Sequence, residues 1–279
     1  MKVMVTGAKG QLGVDLVNKL SLKHDIMAAD KEDLDIIDLD QVMKAVRNLK
    51  PDVIINAAAY TNVDGAETEV DLAYRINCVG AKNLAIAALE YGGRLLHIST
   101  DFIFDGRKNT PYTEFDATNP LSVYGKSKLA GETCIKEICN RHYILRTAWL
   151  YGEHGNNFVK TMLRLAENNK TLKVVDDQIG SPTYTKDLVK VIEKMITTDA
   201  YGTYHASNAG ACSWNEFAKK IFQMKEIKDI EVLPITSEEF NRPAVRPKYS
   251  VMENYMLKLQ LDYEMRHWEE GLKEYFNNQ

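Results

Sequence analysis

Tyr124 and Lys128 stand four residues apart in a helical pattern, so their side chains share one face. A phenol and an ammonium placed in this way suit carbonyl reduction. When a ketone accepts a hydride, negative charge builds on its oxygen, and a proton must meet it. A free phenol, with a pKa near ~10, exchanges protons poorly at neutral pH. A nearby ammonium favours the phenolate and lowers that value. The same ammonium can hold ribose hydroxyls. Thr100 (or Ser99), within the polar run Ser99-Thr100-Asp101, can donate a further hydrogen bond to the carbonyl oxygen. This is the only Tyr-x-x-x-Lys in the chain. Chance alone supplies about one, so the spacing gains meaning only from its setting. A surface Tyr beneath a Lys stem would give the same pattern.

A second constellation is Gly7-Ala8-Lys9-Gly10-Gln11-Leu12-Gly13. Gly7 permits a tight turn, Gly10 lets backbone approach a pyrophosphate, and Gly13 lets a helix pack close to a strand. A helix N-terminus then offers unpaired N–H groups and partial positive charge to phosphates. The spacing is GxxGxxG rather than the GxGxxG of most dinucleotide folds. Its place between the first strand and the first helix is what points to a dinucleotide. Asp30 ends the second strand, where an acid can accept both hydroxyls of the adenosine ribose and repel a 2′-phosphate. That favours NADH over NADPH, although neighbouring Lys31 softens the preference. The alternative reading of Asp30 is a solvated acid at a strand end.

These groups need a scaffold, and the apolar pattern supplies one. Strands are expected over 2–6, 26–29, 53–55, 95–98 and 143–145. Helices are expected over 11–20, 39–49, about 69–90 and 122–139, with Gly92-Gly93 as a stop signal. Alternation of this kind predicts an α/β fold, a Rossmann-type doubly wound parallel sheet with helices on both faces. Residues 1–150 would form the dinucleotide-binding domain. Beyond Tyr151 the pattern loosens, with helices expected over 158–168, 186–197, 214–224 and 267–276 and short strands over 172–175, 203–206 and 231–233. Residues 151–279 would form a smaller C-terminal substrate-binding lobe, partly interleaved with the sheet. The Tyr–Lys helix follows strand four, near the carboxyl edge where open α/β sheets bind ligands.

Composition removes several classes of function. The 279 residues are 45% hydrophobic and 27% charged, which suits a folded chain with a sizeable core. A net charge of −4 leaves no basic footprint for nucleic acid. No apolar run approaches the ~18–20 residues of a membrane span. The N-terminus lacks a signal-peptide pattern, and four cysteines without CxxC or zinc spacing read as reduced thiols, so a cytoplasmic protein is expected.

Further segments carry a resemblance. They are Asn56-Ala57-Ala58-Ala59-Tyr60-Thr61, Val63-Asp64, Ser99-Thr100-Asp101-Phe102-Ile103-Phe104-Asp105-Gly106, Tyr124-Gly125-Lys126-Ser127-Lys128, Arg146-Thr147-Ala148-Trp149-Leu150-Tyr151-Gly152, Gly155-Asn156-Asn157-Phe158 and Arg246-Pro247. With the glycine loop, they resemble the extended short-chain dehydrogenase/reductase superfamily and, within it, the dTDP-4-dehydrorhamnose reductase family. The resemblance spans nearly the whole chain. It implies NAD(P)H-dependent reduction of the C4 ketone of dTDP-4-dehydro-6-deoxy-L-mannose to dTDP-L-rhamnose. Tyr124 would be the proton donor, Lys128 its partner, and Thr100 and Asp101 substrate contacts. Trp149 would lie against the sugar or the nicotinamide, or else be a plain core aromatic. Cofactor contacts would include Gly10, Gln11, Leu12, Asp30, Asp35, Ile36, Ala59, Tyr60 and Thr61. A homodimer is implied in the same way.

Two positions depart from the family's common pattern: Phe102 replaces a usual Tyr, and Lys9 a frequent Asn. Some relatives bind Mg²⁺ through acidic side chains at a dimer contact. Glu269, Glu270 and Glu274 are acidic, but such a run is usually a solvated helix face, so no metal ligands are assigned. On the substrate side, a diphosphate calls for cations, and Arg246, with Arg242 just before it, suits bidentate phosphate bonds. Asn157 can donate from its amide. Two other functions stay open: a nucleotide-sugar epimerase or dehydratase of the same superfamily, and a non-catalytic subunit resembling the methionine adenosyltransferase regulatory subunit.

Overall fold

The structure is a computed structural model that describes residues 1–278. Six parallel strands form its central sheet: β1 (Lys2–Thr6), β2 (Asp25–Ala29), β3 (Val53–Asn56), β4 (Arg94–Thr100), β5 (His142–Thr147) and β6 (Gly202–His205). Their spatial order is β6-β5-β4-β3-β1-β2. The chain winds from β1 to β2 on one side and through β3, β4 and β5 on the other. The direction reverses between β1 and β3, and a crevice opens above such a reversal.

Alternation along the strands divides the core in two. Val3 and Val5 of β1 pack with Leu12 and Leu16 of α1 (Gln11–Leu20). Leu188 and Ile192 of a helix from the second half of the chain join them. Met4 and Ile54 face the other way, against Leu84 and Ala88 of the helix Ala81–Tyr91 and Ile135 of the helix Val123–Ile138. In chain order the helices of eight residues or more are α1, α2 (Leu39–Leu49), α3 (Ala81–Tyr91), α4 (Val123–Ile138), α5 (Phe158–Ala166), α6 (Thr185–Met195), α7 (Trp214–Met224) and α8 (Trp268–Asn277). Residues after 150 therefore return α6 and β6 to the sheet. The remainder packs around Tyr151, Phe217 and Tyr275, and Thr171–Val175 pairs in parallel with Glu231–Ile235.

The long helix expected over 69–90 is broken. Val70–Tyr74 is α-helical, Arg75–Gly80 widens into a π turn, and α3 follows. The wide turn holds Asn77, whose amide accepts from the Tyr60 N–H at 2.9 Å and donates to the Ser127 hydroxyl at 3.0 Å. Periodicity registers apolar faces and is blind to such an inserted residue. α4 starts where expected because the Ser122 hydroxyl caps it, accepting from the Gly125 N–H at 3.2 Å. The four cysteines are free thiols. Among the described residues no helix is long and apolar enough to cross a membrane.

Candidate active site

A cleft of about 1330 Å³ lies over the carboxyl ends of β1, β3, β4 and β5. The glycine loop forms one end. Gly7 takes a positive φ of +69°, and a Cβ there would meet the Ala58 nitrogen at 2.7 Å. A Cβ on Gly13 would stand 2.0 Å from the Gly7 carbonyl oxygen, so only glycine lets α1 begin this close to β1. No side chain caps α1, and no acid occupies its first turn. The cradle and the uncapped N–H groups fit a dinucleotide pyrophosphate. Gly10, Gln11 and Leu12 line the same end.

The Asp30 carboxylate accepts the Lys9 N–H at 2.9 Å and the Lys31 N–H at 2.8 Å, which fixes it at the cleft's rim. Asp35, Ile36, Ala59 and Thr61 line the cleft as expected. Asn83 holds the Ile36 and Ile37 carbonyls at 2.9 and 2.8 Å, tying this wall to α3. Tyr60 departs from expectation: its side chain leaves the lining and donates to the Glu69 carboxylate.

At the other end stand Thr100, Asp101, Tyr124 and Lys128. The Thr100 hydroxyl donates to Asp101 at 3.0 Å and accepts the Phe102 N–H at 3.2 Å. Burial pushes the Asp101 carboxyl up to about 6, against hydrogen bonds from Ser250 and Thr100. Burial also pushes the Tyr124 phenol up to about 12, with Asp101 adding to the rise and Thr100 opposing it. The sequence led to the opposite expectation, a phenol lowered by Lys128. The reason is placement: the buried Lys128 ammonium nitrogen turns to the Ile98 carbonyl at 2.6 Å and the His97 ring at 3.3 Å. Burial lowers Lys128 itself to about 8, with Glu132 opposing.

Glu132 and Trp214 are not singled out in the sequence, whereas Arg146, Ser99 and Trp149 stand in segments that carry the resemblance. Glu132, one turn beyond Lys128, receives Arg146 in a bidentate pair, Nε to Oε1 at 3.0 Å and Nη2 to Oε2 at 2.8 Å. The Ser99 hydroxyl adds a bond at 2.6 Å. Burial would raise the Glu132 pKa, but Arg146 holds it below its ordinary value. Trp149 stacks on Trp214 at 3.4 Å and 6°, with a left-handed φ of +48°. Strained backbone of that kind gathers at functional sites. Both rings line the cleft, and Trp149 also packs against the apolar core.

Two substrate-side expectations change. Asn157 lies outside the cleft lining. Its amide donates to Gln11 at 2.9 Å and to the Gly152 carbonyl at 2.8 Å, while its oxygen caps α5. Both amide hydrogens are thus engaged, and Asn157 braces the glycine-loop helix instead. Arg246 does line the cleft, but its guanidinium forks onto Asp64, both bonds at 3.0 Å. Near the C-terminus, Glu269 pairs with Lys220 at 2.6 Å and Glu274 with Arg266 at 2.6 Å. Among the described residues no group of three or more His, Cys, Asp or Glu is drawn together.

A glycine cradle at one end of a cleft and a Tyr–Lys–Thr cluster at the other define a nicotinamide-dependent oxidoreductase of the short-chain dehydrogenase/reductase type. The family model described as RmlD substrate binding domain matches residues 1–279. The dTDP-4-dehydrorhamnose reductase of Aggregatibacter actinomycetemcomitans is 42% identical over 98% of this chain and 97% of its own. The spore coat polysaccharide biosynthesis protein SpsK of Bacillus subtilis (strain 168) is 42% identical over 98% of this chain and 96% of its own. The crystal structure of dTDP-4-dehydrorhamnose reductase from Bacillus anthracis str. Ames in complex with NADP is 50% identical, with a TM-score of 0.98, covering 100% of this chain and 99% of that one. The chain belongs to the dTDP-4-dehydrorhamnose reductase family.

Proposed function

We propose that the chain reduces the C4 ketone of dTDP-4-dehydro-6-deoxy-L-mannose to dTDP-L-rhamnose, using NAD(P)H. One observation carries the reading: Thr100, Tyr124 and Lys128 meet at one end of a cleft whose other end is the Gly7–Gly13 cradle. The names of the full-length relatives support the substrate. The bound reduced nicotinamide supplies the hydride. Thr100 and Tyr124 hold the carbonyl oxygen, and Tyr124 gives that oxygen its proton. Lys128, once turned toward Tyr124 from the Ile98 carbonyl, supplies positive charge beside the phenolate left behind. The Trp149–Trp214 stack offers an apolar wall to the sugar's C–H face. Arg246 receives the diphosphate, with Asp64 holding its fork until then. Residues 1–150 chiefly form the cofactor domain and 151–279 the substrate lobe, partly interleaved through α6 and β6, with Thr100, Tyr124 and Trp149 reaching the substrate from the first part.

Asp30 supports NADH as the better cofactor, since a carboxylate at the ribose disfavours a second phosphate. The NADP named with the Bacillus anthracis structure supports the phosphorylated form, and Lys9 and Lys31 beside Asp30 offer it counter-charge. We infer that both serve, with the lower KM for NADH. The reading includes a cytoplasmic homodimer, to be checked by fractionation and light scattering. The deciding experiment follows NADH and NADPH oxidation against a panel of 4-keto sugar nucleotides, with NMR of the products. Stoichiometric cofactor consumption giving the rhamnosyl nucleotide is expected. Conversion without net consumption would favour an epimerase or dehydratase, and binding without turnover a regulatory subunit.

A further inference from the structure

Beneath the Tyr–Lys pair a row of polar groups crosses the sheet. Thr6, Asn56 and His97 sit in register on β1, β3 and β4, and all three are buried. The Asn56 carbonyl oxygen accepts the Ala58 N–H at 3.1 Å and the Thr6 hydroxyl at 2.8 Å. A backbone N–H can only donate, so Ala58 decides which end of the Asn56 amide is oxygen. The Asn56 nitrogen then faces His97 Nδ1 at 3.0 Å, and it too can only donate. Nδ1 must be the acceptor, and a neutral imidazole that accepts at Nδ1 carries its proton on Nε2. That nitrogen lies 3.3 Å from Lys128 Nζ.

A donor therefore points at the lysine nitrogen. An ammonium has no lone pair to receive it, whereas a neutral amine has one. We propose that His97, locked as the Nε2–H tautomer by Asn56, is a positioning residue that favours the neutral amine of Lys128 and so loosens the lysine's proton.

Other features agree. Burial and Lys128 hold the His97 ring well below its ordinary pKa, so it stays neutral. Lys128 still donates one hydrogen to the Ile98 carbonyl, which either of its charge states can do. The charged group that acts on it is Glu132 on α4, itself paired with Arg146 on β5, while Tyr124 and Asp101 line the same cleft. Glu132 favours the ammonium, and the His97 N–H opposes it. When Tyr124 has given its proton to the ketone oxygen, transfer of one proton from the ammonium restores the phenol and leaves the amine. His97 is then already placed to donate to that amine. This role rests on the reductase reading; the tautomer does not.

The whole protein with ¹⁵N-labelled histidine rings tests the tautomer by NMR, His97 being assigned by its loss in His97→Gln. A bare Nδ1 and a protonated Nε2 at neutral pH are expected; a proton on Nδ1 overturns the proposal, whether or not the enzyme turns over. In His97→Gln the amide oxygen can turn to Lys128 and accept from the ammonium. The alkaline limb of the kcat/KM profile should then move up by about one pH unit, whereas a merely structural role would lower the plateau and leave the limb in place. An unmoved limb in the folded variant overturns the proposal. Should His97→Gln not fold, Asn56→Asp places an oxygen opposite Nδ1, draws the proton there, and should move the limb the same way. Absence of turnover with every 4-keto sugar nucleotide would remove the reductase reading and leave the ring-nitrogen result standing.

Discussion

The two ends of the cleft are built on different physics. Around Tyr124 the charged groups are buried: Lys128 and Asp101 are each 2% exposed, and Glu132, at 0%, pairs with Arg146. At the glycine-loop end, Lys9 and Glu32 pair at 3.2 Å with side chains 67% and 55% exposed, where water screens an ion pair so that it contributes little. One end must hold a few groups in fixed protonation states and positions, and low dielectric makes each of them matter. The other end offers backbone N–H groups and glycine geometry to a ligand, and its charged side chains stay in water. Substitutions should therefore act strongly at the first end and weakly at the second.

The largest effect should come from Tyr124→Phe. Removing the proposed proton donor should lower kcat about 10²–10⁴-fold with little change in either KM, as steady-state kinetics would show. A variant with near-normal kcat would end the claim that this phenol is the acid. Next is Glu132→Gln, which leaves Arg146 buried without its counter-charge. A loss of about 3–5 kcal/mol in urea unfolding is expected; a loss under ~1 kcal/mol would mean that the reaction end is no more tightly matched than the rim.

A third test reads pH. Asp101 is raised by burial to about 6 in the fold, against about 3.9 when unfolded. The folded chain then binds this proton more tightly. Its contribution to stability is fully present below about pH 4 and is lost as pH rises through about 6. Asp101→Asn abolishes that dependence. The stability of the variant relative to the parent should thus climb between pH 4 and 6 and level off above, in unfolding curves taken across that range. A flat difference would show the carboxyl to be better solvated than its burial implies. The smallest effect is expected from Asp30→Ala: about a tenfold rise in KM for NADH, a smaller change for NADPH, and under ~1 kcal/mol in stability. A large stability loss there would erase the contrast between the two ends.

Much of this was legible along the chain. The strands 2–6 and 53–55, the helices 11–20 and 39–49, the start of α4, the glycine loop and the Tyr124–Lys128 face are all local. Apolar period, capping residues and i, i+4 spacing report on neighbours in sequence, and those features depend on little else. The π turn at Arg75–Gly80 was hidden because an extra residue per turn leaves no mark in residue type. Asn157 misled because an amide at a helix start reads as free until its partner, Gln11, is known.

What residue order determined by itself was the kind of site: which strand ends carry glycines, which helix carries the phenol and amine, and hence which chemistry they suit. Tertiary structure alone decided how that site is tuned. Glu132 meets Arg146, Asn56 meets His97, Trp149 meets Trp214 and Asp64 meets Arg246 across separations of 14, 41, 65 and 182 positions. Burial and partner identity fix protonation and rotamer, and both arise only when distant segments exclude water together.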